Sequence, residues 1–98
     1  MLLYTVIRSY RCAETESILN GNVSRRFPRE MQSVARRKLL MLHAATTIQD
    51  LKTPPGNRLE KLSGSRKGEW SIRVNDQYRI CFEWDGTDAK AVEMVDYH

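Results

Sequence analysis

Three ionisable side chains stand together as the last residues of the chain, Asp96, Tyr97 and His98. Histidine can give or accept a proton near neutral pH and a phenol can donate one, so this triplet suits proton transfer. Successive side chains of a strand point to opposite faces, and Tyr97 is therefore expected opposite Asp96. We predict that Tyr97 and His98 are the reacting pair and that Asp96 holds His98 or a neighbouring backbone group in place.

Two arginines are expected on the open face of a sheet. Apolar and polar residues alternate in two consecutive segments, 69–74 and 77–84, with turn-forming residues between them. Such alternation is typical of strands with one buried face, and the turn favours an antiparallel hairpin. Trp70 would then belong to the core, while Arg73 and Arg79 would lie on the solvated face.

Further charged residues precede this hairpin. A predicted strand at 59–63 carries Glu60 and Lys61, and the loop after it carries Arg66 and Lys67. Any one of these residues is more often a solubilising group than a functional one. If they converge with the arginines, however, they can neutralise a phosphate and stabilise the charge that builds on it during cleavage, without a metal.

This combination of groups indicates cleavage of RNA. RNA carries its own nucleophile, the 2′-hydroxyl, so an enzyme that cuts it needs alignment, a base, an acid for the 5′-oxygen and a cationic clamp. Glu60 or His98 would be the base, Tyr97 or His98 the acid, and Arg79 part of the clamp. The remaining candidates for contact with RNA are Lys61, Arg66, Lys67 and Arg73.

The overall composition predicts one cytosolic domain with an anionic partner. The 98 residues suffice for a single modest core, and 41% hydrophobic with 29% charged residues is typical of a globular chain. A net charge of +4 favours nucleic acid over a membrane. No apolar run approaches the ~20 residues of a membrane span, and the start lacks a signal-peptide cleavage site. Cys12 and Cys81 lack zinc-site spacing and are expected to be reduced structural thiols, and no metal or cofactor is expected.

The elements that must position these side chains follow from the same patterns. A strand is predicted at 2–8, a short helix at 12–21 that Gly21 closes, and a longer helix with a basic outer face at 29–45. Two prolines force a loop at 53–57, after which the period changes to that of strands and a meander runs to the end. We predict an α+β fold in which the N-terminal strand and an αα-hairpin pack on one face of a mainly antiparallel β-sheet.

The block ATTIQDLKTPPGNRLEKLSGSRKGEWSIRVNDQYRICFEWDG at 45–86, followed by a strand and the terminal VDYH, resembles the HigB toxins of the RelE superfamily, often labelled plasmid maintenance system killer proteins. The resemblance runs from about residue 7 to residue 98. It implies a RelE-like fold and an endoribonuclease that cuts translated mRNA in the decoding site of the 70S ribosome and so inhibits translation. It also implies a HigA-like helix-turn-helix antitoxin as partner, which alone would contact operator DNA.

The same resemblance assigns the catalytic positions to Arg79, Asp96, Tyr97 and His98. Some HigB toxins carry a histidine in the strand after the proline loop, where this chain has Glu60. The general base therefore stays open between Glu60 and His98.

Two other functions fit the same residues. A RelE-fold module that binds a regulatory partner with little or no nuclease activity would also explain the charge. A nuclease of free RNA would need two histidines as acid and base, and only His43 and His98 are present. His43 is predicted on the long helix, so this second alternative is the less favoured one.

Overall fold

The computed structural model describes residues 7–97 and contains two helices and four strands in these residues. The short helix α1 spans Ala13–Leu19, and α2 spans Gln32–Ala44 after a 3₁₀ turn at Arg29–Met31. The strands are β1, Glu60–Lys61; β2, Glu69–Arg73; β3, Tyr78–Trp84; and β4, Ala89–Asp96. Three 3₁₀ turns, at Ile48–Lys52, Pro55–Asn57 and Gly64–Arg66, connect the helical part to the sheet and β1 to β2.

The four strands form one antiparallel sheet in the order β1-β2-β3-β4. Both hairpins were predicted from the period-two pattern and are confirmed. The predicted strand at 59–63 is shorter than expected, because only Glu60 and Lys61 pair with β2 before the chain turns at Gly64, whose φ is +66°.

The first described residues extend this sheet at its β4 edge. Ile7 and Tyr10 form parallel bridges with Ala89 and Val92, and the amide of Arg11 donates to the Val92 carbonyl at 2.9 Å. The strand predicted at 2–8 lies outside the described residues except for its last two positions.

The two helices cover one face of the sheet, as predicted. From α2 the fully buried residues Ala35, Leu39 and Leu42 recur at helical spacing, and they face Ile80 and the other inward side chains of the central strands. Helix α1 ends as the sequence predicts, with Gly21 at a φ of +91° and its amide bonded to Ile18. The α+β architecture is thus confirmed, and the opposite face of the sheet is left open.

Candidate active site on the open face of the sheet

Arg79 lies on the open face near the start of β3, and two partners hold its guanidinium. Its Nε donates to the hydroxyl of Ser71 on the neighbouring strand at 2.8 Å. Its Nη2 donates to the backbone carbonyl of Arg58 at 2.6 Å. The side chain is only 13% exposed. Because an arginine fork bonded at two nitrogens has little freedom left, this cation is fixed before any ligand binds.

Tyr97 packs against this arginine. The guanidinium carbon of Arg79 lies 5.9 Å from the centre of the Tyr97 ring, within range of a cation–π contact. The Tyr97 hydroxyl is 3.8 Å from the sulfur of Cys81, a fully buried free thiol. Burial, followed by the contact with Cys81, raises the pKa of Tyr97 above its ordinary value. The phenol therefore keeps its proton at neutral pH.

Glu60 approaches the same arginine from the other side. Its carboxylate lies 3.8 Å from Nη2 of Arg79, and the side chain is 60% exposed. The pairing of Glu60 with Ser71 explains this proximity, because Ser71 in turn lies between β1 and Arg79. The structure thus brings together Arg79, Tyr97 and Glu60, three residues that stand up to 37 positions apart.

Asp96 lies at the rim of this cluster. Its carboxylate accepts a hydrogen bond from the side-chain amide of Gln77 at 3.0 Å, and the next amide, of Tyr97, donates to the Gln77 carbonyl at 2.7 Å. These two bonds hold the end of β4 beside β3. His98, predicted as acid or base, lies outside the described residues.

The four predicted RNA-contacting residues take different positions. Arg73 lies directly across the hairpin from Arg79 and forms an ion pair with Asp76. Lys61 does not join the cluster, because its ammonium lies 5.5 Å from the ring centre of Trp70, a residue packed on the core side. Successive residues of a strand face opposite ways, so β1 can turn only Glu60 toward Arg79.

Arg66 and Lys67 lie further along the open face. The guanidinium of Arg66 forms ion pairs with Glu69 at 2.9 Å and with Glu93 at 3.1 Å. Exposed Lys67 lines a shallow cavity that Glu69 also lines. Its charge therefore stands beside acidic side chains and not beside Arg79.

Sequence reasoning missed several residues of this face. Arg11 reaches across it to Glu69, Glu83 and Glu93 at 3.1–3.5 Å. The Arg58 carbonyl has no signature in the sequence, because any residue type supplies one. Ser71 was detectable, since the alternation puts it on the polar side with Arg73.

Within residues 7–97 no three His, Cys, Asp or Glu side chains are arranged to hold a metal ion. Nor does this part of the chain contain a helix long and apolar enough to cross a bilayer.

Comparison of the sequence with known protein families identifies a matching family. Residues 15–98 match the model of a family described as the RelE-like toxin of type II toxin-antitoxin system HigB. The match covers Glu60, Arg79 and Tyr97. This chain belongs to that HigB-like toxin family. The RelE-like fold predicted from the sequence resemblance is consistent with the two helices and antiparallel sheet described above.

Three individual relatives match this chain, and two of them carry HigB names. Toxin HigB-1 of Vibrio cholerae is 50% identical over 60 residues, which are 61% of this chain and 63% of the relative. The alignment thus spans less than two thirds of that toxin. An uncharacterized protein of Haemophilus influenzae is 37% identical over 68 residues, which are 69% of this chain and 67% of the relative. A relative from Proteus vulgaris, named Endoribonuclease HigB, is 28% identical over 93 residues, covering 95% of this chain and all of the relative.

Proposed function

We propose that this HigB-like protein is an endoribonuclease that cuts mRNA in the decoding site of the ribosome and thereby inhibits translation. The observation that carries the proposal is the guanidinium of Arg79, fixed by Ser71 and the Arg58 carbonyl, with a protonated phenol against it and a carboxylate 3.8 Å away. The full-length similarity to the Proteus vulgaris protein named Endoribonuclease HigB supports it.

The chemistry uses the nucleophile of the RNA itself. The 2′-oxygen attacks the adjacent phosphorus, a P–O2′ bond forms as the P–O5′ bond breaks, and the products carry a 2′,3′-cyclic phosphate and a 5′-hydroxyl. A base, Glu60 or His98, accepts the proton of the 2′-hydroxyl. An acid, Tyr97 or His98, gives a proton to the departing 5′-oxygen. No step is assigned to a metal ion.

Arg79 serves this reaction through its fixed charge. Negative charge grows on the non-bridging phosphate oxygens in the transition state, and a cation that is already oriented stabilises it without reorganising. Tyr97 supports the guanidinium through its ring and presents a hydroxyl that stays protonated at neutral pH. Asp96 holds the end of β4 and so supports Tyr97 and His98.

Dependence on the ribosome fits the shape of this site. The cluster lies on an open sheet face, which contacts an RNA strand from one side only. In-line attack needs the 2′-oxygen, the phosphorus and the 5′-oxygen aligned, and an open face does not enforce that alignment alone. A translating 70S ribosome, which holds mRNA in place in the cytoplasm, would supply the second surface.

The antitoxin is the other proposed partner. The family is defined by type II toxin-antitoxin systems. We expect a HigA-like helix-turn-helix protein that holds the toxin inactive and through which alone the complex contacts operator DNA.

The test is expression of the chain in bacteria, with and without the adjacent small open reading frame, followed by mapping of mRNA ends. We expect growth arrest and cuts within codons of translated messages, suppressed when the neighbouring frame is co-expressed. Purified protein should leave naked RNA intact. If wild-type protein never cuts ribosome-bound mRNA, the nuclease proposal is wrong and a RelE-fold binding module remains.

A further inference from the structure

A lysine enters the protein interior close to this site. Lys38 lies on α2 directly before the core residue Leu39 and is only 6% exposed. Its ammonium donates a hydrogen bond to the side-chain oxygen of Asn57. Burial, followed by the nearby charges of Arg37 and Arg73, lowers the pKa of Lys38. Within residues 7–97 it forms no ion pair, so an amide oxygen is what the cation binds.

A buried cation of this kind costs free energy and needs a reason to be retained. Desolvating an ammonium is unfavourable, and a neutral amide compensates it less than a carboxylate does. An apolar side chain at Lys38 would pack beside Leu39 without that cost. The hydrogen bond to Asn57 supplies such a reason.

Lys38 binds the side chain of Asn57, and both polar atoms of that side chain are hydrogen-bonded. The residue is fully buried, its oxygen accepts from Lys38, and its amide nitrogen donates to the carbonyl of Leu51 at 3.1 Å and to that of Thr53 at 3.4 Å. Asn57 is the last residue of the 3₁₀ turn Pro55–Asn57. The turn is thus anchored from three sides to α2 and to the preceding segment.

The residue after this anchor adopts an unusual backbone conformation. Arg58 has a φ of +45° and a ψ of +56°, the left-handed region, which is unfavourable for a residue other than glycine. Such a conformation persists where the surroundings impose it. In this conformation the Arg58 carbonyl accepts the 2.6 Å hydrogen bond from Nη2 of Arg79.

We propose that Asn57 and Lys38 are positioning residues for Arg79, acting through the backbone of Arg58. The path runs from the Lys38 ammonium to the Asn57 side chain, through one peptide unit to the Arg58 carbonyl, and from there to the guanidinium. Neither side chain reaches the open face of the sheet. This inference rests on the proposed nuclease function only for its activity readout.

The experiment is a double-mutant cycle on cleavage of ribosome-bound mRNA at saturating ribosome concentration. Asn57→Ala should lower the single-turnover rate about 10- to 100-fold, as a misplaced catalytic group does, with ribosome binding unchanged. In an Arg79→Ala background the same substitution should lower the rate less than about 3-fold, because the group it positions is gone. An equal loss in both backgrounds overturns the proposal.

A second variant tests the same proposal if Asn57→Ala folds poorly. Lys38→Met removes the buried charge and is expected to fold. It should nevertheless lower the single-turnover cleavage rate in the wild-type background and much less in the Arg79→Ala background. Lys52→Met, an exposed lysine near the same loop, is the matched control and should keep the wild-type rate. If Lys38→Met keeps the wild-type rate, Lys38 has no positioning role.

A readout without activity separates this inference from the nuclease proposal. The Nε–H of Arg79 is bonded to Ser71, so its NMR signal should exchange slowly with water in the wild type and in Lys52→Met. Exchange should be at least about 10-fold faster in Asn57→Ala and Lys38→Met, since a freed guanidinium returns to water. If the wild-type protein cuts no mRNA but exchange is faster in Asn57→Ala and Lys38→Met, the nuclease proposal is wrong and the positioning of Arg79 still holds. Unchanged exchange refutes the positioning.

Discussion

Tyr97 makes two separate contacts, one through its ring and one through its hydroxyl. The ring lies against the guanidinium of Arg79, and the hydroxyl points to the buried sulfur of Cys81. Only the second contact involves the proton that the proposed reaction would use. The two contributions can therefore be separated by removing a single oxygen.

Tyr97→Phe should slow cleavage about 10²-fold or more if the phenol is the acid, because general acid catalysis contributes on that order. The ring contact with Arg79 is retained, so binding to the ribosome should stay within about 2-fold. Single-turnover rates and a ribosome co-sedimentation assay check the two parts. Tyr10→Phe, a half-buried tyrosine on the β4 edge, serves as control. A Tyr97→Phe protein that cuts at the wild-type rate assigns the acid to His98.

At the element scale, locally encoded features were predictable and features set by pairing were not. Both helices and both hairpins follow from apolar periodicity and turn residues within a few positions. The facing of side chains in strand β4 was not predictable in this way, because its pairing with β3 contains a register shift and Ala91 adopts a φ of +52°. This register shift lets Ala89 and Val92 both face the core although they are three residues apart, which strict alternation does not predict. The direction of Lys61, toward Trp70 and away from the open face, likewise depends on how β1 pairs with β2.

Helix α2 offers a direct test of the packing that supports the sheet. Leu39 is fully buried, whereas its neighbour Leu40 is 40% exposed. Leu39→Ala should lower the free energy of unfolding by about 2–5 kcal/mol through lost burial and the cavity left behind. Leu40→Ala should change it by less than about 0.5 kcal/mol, as surface substitutions do. Urea unfolding checks both, and equal losses would contradict the facing of α2.

Across the whole molecule, the open face carries the cluster of Arg79, Tyr97 and Glu60 and, beside it, an ion-pair network. Arg11 and Arg66 bind Glu69 and Glu93, and Arg11 stands 82 positions from Glu93. A contact over such a separation has no local pattern, so the sequence predicted Arg66 as an RNA contact and gave no role to Arg11. The convergence of Arg79 with Tyr97 was predictable because Arg79 lies on β3 and Tyr97 directly follows β4, the strand paired with β3. The Asn57 anchor was not, because it depends on a loop.

Alkaline pH should destabilise the whole molecule. Burial, followed by the charge of Glu16, raises the pKa of Tyr10 to about 12 from its ordinary 10.0. A raised pKa in the folded state means that the folded protein holds this proton more tightly than the unfolded chain. The stability it contributes is complete below pH 10 and is lost as the pH rises toward 12. Tyr97 acts in the same direction, because burial and Cys81 raise its pKa.

Urea unfolding between pH 8 and pH 12 measures this loss. The free energy of unfolding should fall above pH 10, and the fall should be shallower in Tyr10→Phe, which has no phenol to ionise. Lys38 acts in the opposite direction below its ordinary pKa of 10.5, because its pKa is lowered and the folded protein loses an unfavourable buried charge before the unfolded chain does. Lys38→Met should therefore remove a gain in stability below pH 10.5 and leave the fall above that pH unchanged. Stability that rises above pH 10 in both the wild type and Lys38→Met would contradict the assignment to Tyr10.

The rate at which Arg79 variants cut mRNA bound to 70S ribosomes tests directly whether Arg79 stabilises the transition state of cleavage. Arg79→Ala should lose about 10²- to 10³-fold, the usual cost of removing a preorganised charge stabiliser. Arg79→Lys should recover only part of this, because an ammonium cannot bind the Ser71 hydroxyl and the Arg58 carbonyl as a fork. Arg25→Ala, an exposed arginine outside the site, should cut like wild type. If Arg79→Ala cuts at the wild-type rate and at the same positions, the site described here is not the active site.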